Sequence, residues 1–131
     1  MDKLVSLGNM LNQQKAQASF SLSDIITTED SVQHICQFLR ENSTYQTVEF
    51  KGLKLEGNSL ITLANIIPLL TNCSSLSLEW NNIGQFKTGL SAITSSIAQN
   101  SAIKIVDFRN NKIYANGVQC IASLISDTSS L

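Results

Sequence analysis

Charge is in short supply in this chain. Asp, Glu, Lys and Arg make up 15% of its 131 residues, against roughly 25% in ordinary soluble domains. The little there is nearly cancels, to a net −1, so there is no electrostatic footprint for nucleic acid or an anionic membrane surface. Cysteine is sparse and unpaired: Cys36, Cys73 and Cys120 form no CxxC motif, and the lone His34 has no evident co-ligand. A disulfide framework, a zinc site and a Cys–His nucleophile are therefore not expected, and buried thiols in a reducing, cytoplasmic setting are. No apolar run approaches 18 residues, and no secretory pattern follows Met1. Ser–His–Asp sets, catalytic carboxylate pairs and phosphate loops are missing as well. The sequence thus points away from an enzyme and names no cofactor and no metal.

What it has instead is an internal period. Phe20-Ser21-Leu22, Val48-Glu49-Phe50, Leu76-Ser77-Leu78 and Val106-Asp107-Phe108 are four apolar–polar–apolar triplets, the signature of short strands with one buried face. They begin at 20, 48, 76 and 106, in steps of 28, 28 and 30. Behind each triplet the spacing turns helical: Val32, Ile35, Phe38 and Leu39; Leu60, Leu63, Ile66 and Ile67; Leu90, Ile93, Ser96 and Ile97; Val118, Ile121, Leu124 and Ile125. The third set falls into register once two residues near Gln85–Lys87 are treated as an insertion. Thr27-Thr28-Glu29-Asp30 reads as a capped helix start. Pro68, the single proline, should kink or end the second helix, because it lacks an N–H to donate, with Leu69 and Leu70 beyond it still buried.

Units three and four match L-x-x-L-x-L-x-x-N-x-L, through Cys73, Leu76, Leu78, Asn81 and Ile83, and through Ile103, Val106, Phe108, Asn111 and Ile113. With a 28-residue period and a full helix, the chain resembles the ribonuclease-inhibitor-like class of leucine-rich repeats. The resemblance implies an α/β solenoid, a right-handed βα horseshoe of about four repeats with a parallel sheet on its concave face. It also implies a structural Asn ladder at Asn81 and Asn111, whose side chains bond to backbone in the turns. Units one and two have Ile25 and Leu53 there, so the ladder should begin at the third unit. The expected divisions are an N-terminal capping segment, 1–17, and repeats 18–44, 45–72, 73–102 and 103–131. Leu4, Leu7 and Leu11 form the cap's apolar stripe. Leu131 falls on the first position of a further repeat, so the C-terminal edge is expected to be uncapped, as in a piece of a longer protein, and to offer a route to self-association.

In that frame the polar strand positions become rows across the concave face: Ser21, Glu49, Ser77 and Asp107; then Ser23, Lys51, Glu79 and Arg109; then Asp24, Gly52, Trp80 and Asn110. Adjacent strands lie about 4.8 Å apart, so Lys51, Glu79 and Arg109 should pair across them, at a worth of roughly 0–1 kcal/mol. Trp80 is the sole Trp and belongs to a residue type enriched at binding hot spots. The candidate partner-binding set is Trp80 with Glu49, Lys51, Glu79, Asp107, Arg109 and Asn110, and the candidate partner is another protein. The Glu79-Trp80-Asn81 segment and the insertion after it are similar to a centrosomal member of the same class. That likeness implies a scaffold at a centrosome or basal body, with a coiled coil beyond Leu131. The alternative is a regulator of an enzyme, a Ran-type GTPase activator or a hydrolase inhibitor, built on the same repeats.

Overall fold

A computed structural model describes residues 3–13, 18–24, 27–42 and 44–113. Its elements run in the order α1 (Lys3–Gln13), β1 (Ser19–Ser23), α2 (Glu29–Glu41), β2 (Thr47–Lys51), α3 (Gly57–Ala64), β3 (Ser75–Ser77), α4 (Lys87–Ala98) and β4 (Ile105–Asp107). The strands form one parallel sheet in sequential order. Phe20 is in register with Val48, Val48 with Leu76, and Leu76 with Val106, so the repeat period is the sheet's own register.

Each triplet sends its apolar residues to one side. Phe20, Leu22, Val48, Phe50, Leu76 and Leu78 are buried there, together with Val32, Ile35, Phe38 and Leu39 of α2, Leu60 and Leu63 of α3, and Leu90, Ile93 and Ile97 of α4. The result is a single core between sheet and helices. Leu7 and Leu11 of α1 join it, and α1 packs on α2.

Local chemistry sets the helix boundaries. Thr28 caps α2: its Oγ1 accepts from the Ser31 N–H at 3.2 Å, and its own N–H donates to Ser31 Oγ at 2.7 Å. Glu29 and Asp30 in the first turn and Arg40 in the last complement the helix dipole. Helix α3 stops at Ala64, four residues before Pro68, whose ring nitrogen has no proton for the Ala64 carbonyl; a 3-10 turn, Ile67–Leu69, follows. There the expectation of two buried leucines needs correcting. Leu70 is buried but Leu69 is half exposed, because the tighter 3-10 turn rotates it off the face an α-helix would have given it. The inserted residues form another 3-10 turn, Ile83–Gln85, and α4 starts two residues later relative to its strand than α2 and α3 do.

The apolar stripe from Val118 to Ile125, Cys120 and the edge at Leu131 lie outside the described residues. No helix among the described residues is long and apolar enough to cross a membrane.

Candidate functional site

Opposite the core, the sheet presents its polar rows. Ser21, Glu49, Ser77 and Asp107 are mutually in register, and Ser23 is in register with Lys51. At the strand ends four side chains converge. Lys51 Nζ lies 3.8 Å from Glu79 Oε2, and Arg109 Nη2 lies 3.6 Å from Glu79 Oε1 and 2.8 Å from Asp107 Oδ2. Arg109 also donates to Asp107 through Nε, at 3.1 Å to each oxygen, and through its backbone N–H at 2.9 Å. These hydrogen bonds hold the Asp107 carboxyl below the usual carboxylate range and push the Arg109 guanidinium up. Glu49 sits lower on β2, half-buried and apart from these ion pairs.

Trp80 occupies the next position along. Its backbone is left-handed, with φ +66°, and its side chain is exposed, the residue as a whole by 56%. The same conformation recurs at the equivalent position of every repeat: Asp24 at +57°, Gly52 at +67° and Asn110 at +61°. The turn demands it. Asp24, Gly52 and Trp80 each donate their N–H to a carbonyl of the next repeat, those of Lys51, Glu79 and Arg109. Asp, Gly and Asn are the residues that tolerate this region; a bulky aromatic there is an outlier, at a cost of about 1–2 kcal/mol. The sequence placed Trp80 in a row with Asp24, Gly52 and Asn110 but did not reveal the shared positive φ. Three αL-tolerant residues at one repeat position were the signal that could have found it. The flanking Gly52 and Asn110 carry no side chain large enough to cover an indole.

Under the rim run two buried asparagines. Asn81 accepts the Leu53 N–H at 2.8 Å and donates to the carbonyls of Phe50 at 2.5 Å and Leu78 at 2.9 Å. Asn111 accepts the N–H groups of Asn81 and Ile83 and donates to the carbonyls of Leu78 and Phe108. Each thus satisfies its own turn and the turn before it. Leu53, apolar and buried at the position an Asn would take, has its N–H served by Asn81. A third such residue escaped the sequence reading. Asn100 is 3% exposed, donates to the Ile67 and Leu70 carbonyls and accepts the Ala102 and Ile103 N–H groups.

Two thiols are the remaining reactive groups of note among the described residues. Burial pushes the Cys36 thiol up to about 11 and raises Cys73 too; both are buried and free. Among the described residues no group of His, Cys, Asp and Glu is placed to hold a metal ion. Every buried side-chain nitrogen or oxygen there has a hydrogen-bond partner.

No family model matches the chain. It is 30% identical over 112 residues to leucine-rich repeat-containing protein 45 of Gallus gallus, a match covering 86% of this chain but only 17% of that relative. Among solved structures it is similar to leiomodin-1 actin-binding site 2, with a TM-score of 0.76 and 18% identity over 95% of this chain and 73% of that one. The second likeness is one of fold, and the fold is that of a leucine-rich-repeat domain.

Proposed function

We propose that this leucine-rich-repeat domain is a non-enzymatic interaction scaffold that takes another protein on its concave sheet face. Trp80 is the anchor, and Glu49, Lys51, Glu79, Asp107, Arg109 and Asn110 are its polar surround. One observation carries the reading. An exposed indole stands at a left-handed position where the other described repeats use Asp24, Gly52 and Asn110. A bulky aromatic is strained in that conformation, and backbone strain of this kind gathers at functional sites. An exposed Trp is the residue type that dominates binding hot spots.

The setting we propose is a centrosome or basal body, supported by the similarity to leucine-rich repeat-containing protein 45 over most of the chain. Leiomodin-1's site is named for actin, which makes filamentous actin a natural second bait.

Trp80→Asn separates a binding role from a structural one. Asn suits the αL turn, so the unfolding free energy from urea denaturation should hold or rise, by as much as about 1 kcal/mol, while affinity capture of partners from cell extract is lost. Unchanged capture would remove Trp80 from the site. A clear drop in stability would make it a structural cover. Binding to actin filaments in a sedimentation assay would replace the centrosomal setting with an actin one.

A further inference from the structure

The four charges beside Trp80 balance in number but not in exposure. Glu79 and Asp107 have side chains only 15% and 25% exposed, whereas Lys51 and Arg109 stand at 46% and 73%. The acids are also the more fully engaged. Glu79 lies between two cations, and Asp107 receives three of its neighbour's N–H donors. Lys51 has one ion pair, at 3.8 Å, and Arg109 Nη1 has no bond at all among the described residues. An approaching partner therefore meets cationic groups with spare donors on both sides of the repeat that bears the indole. Of the other carboxylates, Glu49 lies lower on β2, and the exposed Asp24 stands in Trp80's row two strands away, its Oδ1 against Gly52.

We infer that the segment seated on this face is an acidic stretch of polypeptide with one apolar side chain. The apolar group covers Trp80, while flanking carboxylates reach Lys51 Nζ and the free Nη1 of Arg109. Charge-assisted bonds of this geometry favour a carboxylate over a neutral acceptor. This inference rests on the concave-face reading above and adds the partner's chemistry to it.

The single Trp supplies the readout. Three short synthetic peptides serve as probes of the full chain: one of Glu and Asp around a central Phe, one of Lys and Arg around the same Phe, and the acidic one with Ser replacing Phe. The acidic Phe peptide should shift the indole emission to the blue, an effect weakened by salt. The other two should leave it unchanged. Neutralising both cations, Lys51→Gln with Arg109→Gln, should weaken the acidic probe about tenfold, with the circular dichroism spectrum unaltered. An equal or stronger response to the basic peptide, no response to any probe, or undiminished binding by the double variant would overturn the assignment. Partner capture from extract keeps the two readings apart. If it is lost in Trp80→Asn but kept in the double variant, the face stands and the acidic partner falls. If it survives in Trp80→Asn, the face itself is wrong and the assignment goes with it.

Discussion

Between β1 and β2 the space behind the sheet is filled with rings. The Phe20 centroid lies 5.8 Å from Phe38, 5.4 Å from Tyr45 and 5.8 Å from Phe50. From β2 to β4 the core is aliphatic and the turns are held by amides, with Asn81, Asn111 and Asn100 each nearly inaccessible and each bonded to backbone of two segments. The two halves share a register and a chain path, so the slice itself dictates neither solution. Rings stabilise by area and shape, and they tolerate a turn whose polar groups are met by others; Thr27 Oγ1, for instance, donates to the Leu53 carbonyl at 2.9 Å. Amides stabilise by leaving no turn group unsatisfied, at the risk that one substitution orphans several at once.

Substitutions can set the halves against each other. The largest effect is expected from Phe20→Ala, at about 4 kcal/mol in urea denaturation, since it empties a fully buried site bordered by three rings. In a stack where each repeat contacts only its neighbours, hydrogen exchange should quicken in β1 and β2 well before β4. Uniform loosening would mean the halves are one cooperative unit. Asn81→Ala should cost about 3 kcal/mol, because it strands the Leu53 N–H and the Phe50 carbonyl out of reach of water. Its exchange signature should appear at Leu53, in the preceding repeat; a change confined to residues after β3 would break the account of a shared amide. The smallest effect concerns pH. Glu29 accepts from Thr62 at 2.7 Å and from Ser59 at 3.2 Å, joining α2 to α3, and the Thr62 hydrogen bond does most to hold its carboxyl low. A carboxyl depressed in the folded state stabilises above its unfolded value, and that contribution fades as pH falls through the folded one. Glu29→Gln should therefore flatten the acid limb by lowering the stability curve at neutral pH, and should converge on the parent chain at low pH, where Glu29 is itself protonated. The difference should be about 0.5 kcal/mol, since solvent screens the group.

The sheet order, the register and the buried stripes of α2 and α4 were legible in the sequence because hydropathy carries period, and period fixes which side of a strand or helix meets the core. The insertion before α4 was legible for the same reason, as a slip in phase. Leu69 was misplaced because hydropathy cannot distinguish an α-turn from the 3-10 turn that Pro68 imposes. Asn100 stayed hidden since its role depends on the Ile67 and Leu70 carbonyls at the end of that shortened segment, and these belong to another stretch of chain. At the rim, the neighbourhood of Lys51, Glu79 and Arg109 followed from counting along strands. The unequal exposure of their charges and the sign of φ at Trp80 did not, because neither leaves a trace in residue type alone.

The backward reach of Asn81 bears on what counts as a module in this chain. A segment cut from strand to strand, Thr47 to Asn72 for example, would leave with Leu53 and Phe50 but without the amide that completes their turn. The transferable piece is therefore offset from the visible one, extending past the next strand as far as its Asn. A duplication or graft that respected only the strand boundaries would carry an unfinished turn at Phe50 and Leu53, whereas one extended to that Asn would complete it and pass the same requirement on to Asn111.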